Sequence, residues 1–249
     1  MPLPGSKVLF MVNAEPAHPP PATGPSPAAA RRRRPPVARP TDEELIEAAC
    51  SVFGEAGYHE TTMDAVAARA GTSKPTLYAH FGSKEDLYRL CADRAAETLA
   101  AELVESQRAA TGQPLEEQVR AGMIAFFGFA TDRPAMYRML FGDDTAGYAT
   151  AARERVMSAA AAETALRIRA YAESHRLPSW DAAAELCAWL IVGLAVEGAR
   201  YALVTRSLDA DTAGDFATDF AVAALRHLDP AIAARLDRTP PDAPERAAD

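Results

Sequence analysis

Proline constrains this chain most, because it locks φ, removes a backbone donor and breaks any helix interior it enters. Of its 19 prolines, 11 fall in residues 1–40 and four in residues 229–249, leaving four in the 188 residues between. Alanine, the best helix former, occurs 56 times in the chain. A long stretch so poor in the main breaker and so rich in the main former specifies an all-α body. Residues 1–40, Pro-rich with the run Arg31–Arg34, and residues 229–249 are expected to be disordered arms, since neither can bury enough apolar surface to fold.

The body punctuates into helices. Thr41-Asp42-Glu43-Glu44 is a capping-box start, followed by Leu45, Ile46, Ala49, Cys50 and Phe53 on one apolar face and a stop near Gly57. Thr61 or Thr62 then caps a short helix with Met63, Val66, Ala67 and Ala70 inward. After the turn Gly71-Thr72-Ser73, a third helix spans Lys74–His80 with Pro75 in its first turn and Leu77 and Phe81 inward. Gly82-Ser83-Lys84-Glu85 restarts the chain into a helix reaching Ala110, and further helices are expected at 114–130, 134–141, 148–175, 180–206 and 212–228.

Several classes are disfavoured. The longest apolar run, Cys187–Val196, has ten residues, short of the roughly 20 a bilayer-spanning helix needs. With no apolar leader-like segment at the N-terminus, a cytoplasmic protein is expected. Cys50, Cys91 and Cys187 are odd in number and widely spaced, which argues against disulfides or a zinc site. His18, His59, His80, His175 and His227 are not at metal-ligand spacing, and no Gly-rich phosphate loop follows a strand. Neither an enzyme nor a bound metal or cofactor is expected.

The formal charge of −8 hides an asymmetry. Residues 1–40 carry six Lys/Arg against one acid, residues 41–90 four against nine, and residues 91–249 sixteen against twenty-four. Any nucleic-acid surface must therefore be small and built from specific positions.

Two short helices joined by a Gly-containing turn describe a helix-turn-helix, whose second helix enters a major groove about 12 Å wide. Its outward set is Ser73, Lys74, Thr76, Tyr78, Ala79 and His80. The stretch from Ala48 through Gly57-Tyr58-His59-Glu60-Thr61-Thr62 and Ala67-Ala68-Arg69-Ala70-Gly71-Thr72-Ser73 to Leu77-Tyr78-Ala79-His80-Phe81-Gly82-Ser83-Lys84-Glu85-Asp86-Leu87 resembles the DNA-binding domain of TetR-type regulators. The resemblance covers about a fifth of the chain.

It implies a three-helix DNA-binding domain at 41–87, followed by a larger helical ligand-sensing and dimerisation domain at 88–228. It further implies that Thr61 and Thr62 hold a phosphate at a helix N-terminus, that Lys74, Thr76 and Ala79 face base edges, that Tyr78 and His80 contact phosphate or sugar, and that Lys84 clamps a phosphate. Each has a plainer alternative: Thr61 and Thr62 as helix caps, Tyr78 as packing beside the hinge, His80 as a hydrogen-bonded structural residue. The arginines Arg31–Arg34 and Arg39 could reach DNA as a basic arm, or be a solvated charge run.

Two tasks remain for the body. The 180–206 helix is apolar around most of its circumference, so Val192, Val196 and Leu203, with Phe216 and Phe220 of the next helix, are the expected dimer interface, the alternative being an ordinary core. Met123, Phe126 and Phe127, with Tyr137, Met157 and Trp189, are expected to enclose an effector pocket, although such a stripe is also what a plain core looks like. The reading is a homodimeric regulator, a repressor, that binds a palindromic operator and is released by a small molecule. The alternatives are a helical protein-interaction adaptor and an activator of the same family.

Overall fold

The capping box at Thr41 forms: its hydroxyl accepts from the Glu44 amide at 3.3 Å, Glu44 accepts from the Thr41 amide at 2.7 Å, and α1 runs Asp42–Glu60. In the computed structural model the described residues are 40–142, 147–177, 180–205 and 208–236, without the side chains of 203 and 204. The N-terminal arm, including Arg31–Arg34 and Arg39, lies outside them. Where the sequence places the stop, Gly57 takes φ 78°, ψ 170°, a conformation nearly closed to residues with a Cβ. A short continuation to Glu60 follows, closed by the Thr61 hydroxyl donating to the Gly57 carbonyl at 2.7 Å.

The remaining helices are α2 (Met63–Arg69), α3 (Lys74–Phe81), α4 (Lys84–Ala109), α5 (Leu115–Asp132), α6 (Pro134–Phe141), α7 (Thr150–Ser174), α8 (Asp181–Ala199), α9 (Ala210–His227) and α10 (Pro230–Leu236). There is no strand among the described residues. The chain is all-α, as its proline map requires. The end of the expected 180–206 helix differs, because Arg200–Thr205 is wound as a π-helix.

Two boundaries need correction. The sequence predicts a disordered tail from residue 229, yet 230–236 is helical: Asp229 accepts from the Ala231 amide at 2.9 Å, Pro230 occupies the first helical position, and Ala233 is fully buried. Nor does packing divide at residue 88. That boundary falls inside α4, and the described residues belong to a single compact unit beginning at Arg39. The joint is aromatic: Tyr88 of α4 meets Phe53 and Tyr58 of α1 edge-on at 5.0 and 5.1 Å, Tyr148 stacks obliquely on Tyr58 at 4.9 Å, and the Tyr88 hydroxyl donates to the Met139 carbonyl of α6 at 3.5 Å. Edge-to-face pairs add about 0.5–1.5 kcal/mol each beyond area burial.

Around that joint, α1 and α3 pack on α4 and α2 packs on α1 and α3, with Leu45, Phe53, Val66, Leu77 and Leu87 in the shared core. The second half of α4 runs into the body, where α5 packs on α9, α7 on α8, and α4 on both α5 and α7. Close approach comes from small residues. Ala184, Ala188, Val192, Ala195 and Ala199 form the buried stripe of α8, and Gly54 of α1 lies directly against Ala135 of α6.

Candidate nucleic-acid interface and ligand cavity

The recognition segment is fixed by caps at both ends. Thr62 caps α2, its Oγ1 accepting from the Ala65 amide at 3.1 Å. Gly71 takes φ 63°, with the Thr72 amide returning to the Ala67 carbonyl at 2.9 Å, and this tight stop turns the chain into α3. Ser73 caps α3 by accepting from the Thr76 amide at 3.3 Å. Leu77, fully buried, anchors α3 in the core, with the partly buried Phe81 packed against it. The side chains of Ser73, Lys74, Tyr78, Ala79 and His80 are exposed, with Tyr78 45% accessible, and Thr76 is half-buried with its hydroxyl 2.7 Å from that of Ser73.

One expected contact is corrected. Thr61 is 2% exposed and its hydroxyl is spent on the Gly57 carbonyl, so it closes the end of α1 and cannot reach a phosphate. Thr62, beside it, holds the capping position. Lys84 stands at the start of α4, its Nζ donating to the His59 carbonyl at 3.3 Å and lying 4.5 Å over the Tyr58 ring.

The cations of this head are engaged with its own groups. Lys74 Nζ meets Asp64 at 2.8 Å, Arg69 meets Glu55 at 2.8 Å, Arg89 meets Asp86 at 3.3 Å, and His80 Nδ1 lies 3.0 Å from Asp42. The hydrogen bond that Lys74 donates to Asp64 raises the pKa of Lys74, so its ammonium stays charged. Cys50 and Cys91 are buried between α1 and α4, and the neighbouring thiol and burial push Cys91 upward, away from a reactive thiolate.

In the body, α4, α5, α7 and α8 enclose an apolar cavity of about 70 Å³. Its walls include Leu99, Leu103, Val119, Met123, Phe126, Val156, Met157, Ile191, Val192 and Val196. Of the expected pocket residues, Met123, Phe126 and Met157 are in the wall. Phe127 is not: successive helical residues point about 100° apart, and Phe127 packs over Gly214 of α9 instead. Tyr137 stands behind the wall, edge-on to Phe126 at 6.2 Å, its hydroxyl donating to the Val196 carbonyl at 3.4 Å. Trp189 is 47% exposed, outside the buried Ala-rich stripe of α8.

The expected dimer residues also divide. Val192 and Val196 turn inward to the cavity, and the Leu203 side chain lies outside the described residues. Phe216 and Phe220 are 74% and 60% exposed, in company with Leu186, Trp189 and Leu190 of α8. Glu197 pairs with Arg200 at 2.7 Å. Over Asp181–Ala202 the helix is long and apolar enough to cross a membrane, with mean hydropathy 1.6 in its most apolar window, because Ala and Gly extend the apolar stretch past the ten-residue run. A third of that window is buried within the fold.

One polar feature escaped the sequence. At one end of the cavity the half-buried Arg167 donates to Gln118 Oε1 at 2.6 Å and to Glu163 at 3.0 Å, while its Nε has no partner. Gln118, Arg167 and Leu115 also line a larger open groove bounded by Thr111, Glu116, Tyr171 and His175. No motif announces this site; it arises where α5 and α7 cross.

Residues 45–91, which include the whole turn and recognition helix, match the family described as "Bacterial regulatory proteins, tetR family". The HTH-type transcriptional activator FasR of Mycolicibacterium smegmatis is 34% identical over 200 residues, spanning 76% of this chain and 86% of that protein. This chain belongs to the TetR family. It is a DNA-binding transcriptional regulator and not an enzyme. Among solved structures, a TetR-like regulator from Rhodococcus sp. RHA1 is 27% identical with a TM-score of 0.61, covering 78% of this chain and all of that one. Bacillus subtilis FadR in complex with stearoyl-CoA shares the fold at 14% identity and a TM-score of 0.63, covering 74% of this chain and 98% of FadR. The TetR architecture thus extends well past the matched head.

Proposed function

We propose that this TetR-family protein acts in the cytoplasm as a homodimer whose two α3 helices read a palindromic operator, and that a long-chain acyl ligand releases it. The observation that carries the ligand is the cavity, lined mostly by apolar side chains and sharing Gln118 and Arg167 with the open groove. An alkyl tail in the cavity and a polar head beside Arg167 match that arrangement, and FadR with stearoyl-CoA provides the precedent in the same fold. An operator overlapping a promoter makes such a protein a repressor; one upstream makes it an activator, the name carried by the M. smegmatis relative.

Dimerisation is supported by the exposed Leu186, Trp189, Leu190, Phe216 and Phe220 on α8 and α9, an apolar surface that a second copy would cover. Reading two half-sites about 34 Å apart also gives the selectivity that one short helix lacks. For DNA contact we retain Thr62, Ser73, Lys74, Thr76, Tyr78, Ala79, His80 and Lys84. The link between sites is α4, which lines the cavity with Leu99 and Leu103 and begins at Lys84 beside the head. A chain entering this narrow cavity pushes α4 from α5 and α7, and ligand binding then favours the conformation whose heads no longer match the operator.

The test is Gly122→Leu. Gly122 lines the cavity and an added Cβ there meets nothing within 4 Å, so a larger side chain can start into the space without displacing backbone at that atom. After selection of an operator from random DNA at about 150 mM salt, where non-specific binding is weak, palmitoyl-CoA should release the wild type but not Gly122→Leu, which keeps its operator affinity. Equal release of both would refute the cavity as the effector site.

A further inference from the structure

We propose that Asp64 is a specificity determinant of the DNA-binding head: by holding the Lys74 ammonium it cancels the charge that would bind any phosphate, while leaving N–H donors for a base edge. The inference rests on the reading of α3 as the helix that enters the major groove. Lys74 is the one Lys or Arg of α3 and stands at its first residue, the end at which a recognition helix meets base edges. Its Nζ donates to Asp64 Oδ2 at 2.8 Å, which joins the first turn of α2 to the start of α3 across the intervening turn. The other pairs of Lys and Arg in the head lie away from α3: Arg69 with Glu55 and Ser51 of α1, Arg89 with Asp86 inside α4, and Lys84 with the His59 carbonyl.

An ammonium carries three N–H donors, so the bond to Asp64 leaves two for acceptors such as guanine O6 and N7. An isolated lysine at a DNA surface neutralises whichever phosphate is nearest and releases a counterion, a gain that is the same for every sequence. A lysine beside a carboxylate adds no net charge, so that gain is cancelled and the directional bonds to bases remain. Both side chains are exposed, 44% for Lys74 and 70% for Asp64. The carboxylate therefore stands at the surface beside the ammonium, where it repels a phosphate oxygen approaching in place of a base. Penalising the wrong partner in this way raises discrimination without adding a contact to the right one. Lysine suits the arrangement, because its flexible stem lets the charged group turn towards a base while it keeps its bond to Asp64.

The experiment compares the full-length wild type, Asp64→Asn, Lys74→Ala and the double variant, with matching thermal melts to check the fold. Sites are selected from random DNA at about 150 mM salt, and affinities for the wild-type operator and for a scrambled duplex are measured by fluorescence anisotropy between about 50 and 200 mM salt. Asp64→Asn should bind the scrambled duplex about fivefold to tenfold tighter near 100 mM salt, with a slope of log affinity against log salt steeper by about 0.9 for each head engaged. It should gain less on the operator, and its selected sites should relax at the base pair that Lys74→Ala also relaxes. With Lys74 already replaced by alanine, Asp64→Asn should leave the affinity for the scrambled duplex unchanged. Unchanged binding by Asp64→Asn overturns the proposal. So does equal tightening on both duplexes, or the same tightening without Lys74, either of which would make Asp64 a diffuse negative charge. If Lys74→Ala selects the same site as the wild type, it is the reading of Lys74 at a base edge that fails, and the proposal falls with it.

Discussion

Two glycines on helices that meet other helices should respond oppositely to the same substitution. Gly54 of α1 faces Ala135 of α6, and a Cβ built on it lies 2.6 Å from the Ala135 carbonyl oxygen and closer still to its Cα and Cβ. The obstacle is backbone, so no side-chain rotation relieves it; α1 and α6 must separate. Overpacking of this kind costs about 1–3 kcal/mol, against which alanine recovers about 0.5–1 kcal/mol of helix propensity. Gly54→Ala should therefore be destabilised by about 1–2 kcal/mol, or roughly 2–8 °C in Tm for a chain of this size. Gly122 of α5 has nothing within 4 Å of an added Cβ, so Gly122→Ala should gain about 0.5–1 kcal/mol and a Tm higher by roughly 1–4 °C. Thermal melts followed by far-UV circular dichroism decide the sign. A Gly54→Ala Tm equal to or above that of Gly122→Ala would refute the claim that α1 and α6 touch through backbone.

Three further outcomes follow from particular side chains. Leu77→Ala removes the one fully buried side chain of α3 and should cost about 2–5 kcal/mol, with operator binding lost at temperatures where the body is still helical by circular dichroism. Burial, reinforced by the nearby Glu197 charge, pushes the Tyr137 hydroxyl up to about 12, from an ordinary value of 10. Because the folded state holds that proton longer than the unfolded one, stability is full below pH 10 and is lost as the pH rises towards 12; Tyr137→Phe should flatten that loss in denaturant titrations, and an unchanged slope would show the hydroxyl to be solvated. Phe216→Asp with Phe220→Asp should turn the proposed dimer into a monomer by light scattering while the melting temperature of each protomer changes little; a dimer of undiminished affinity would move the interface off α9.

The helices were legible because their signals are local. A capping box at Thr41, a Gly71 turn and Pro75 at the start of α3 act within a few residues, and the structure has each of them. The outward set of α3 followed from the same periodicity. The errors are of another kind. Thr61 and Thr62 are chemically alike neighbours, and only the path of the chain after Gly57 sends one hydroxyl inward to a carbonyl and leaves the other at the cap. Phe126 and Phe127, or Val192 and Trp189, are equally apolar; which of each pair faces the cavity depends on how far α5 and α8 are rotated against α4 and α7.

The sequence by itself determined the all-α class, the order and ends of nearly all the helices, and the head that marks the chain as a TetR-family regulator, since these rest on backbone preferences and on motifs of adjacent residues. Only the tertiary structure decided that α1–α3 and the body share an aromatic joint across α4, that Arg167 and Gln118 close one end of an apolar cavity, and that His80 brings the start of α1 beside the reading helix. Those contacts join residues many turns apart. Their geometry is set by the rotation and separation of packed helices, which depend on side-chain volumes throughout the core rather than on any one stretch of chain.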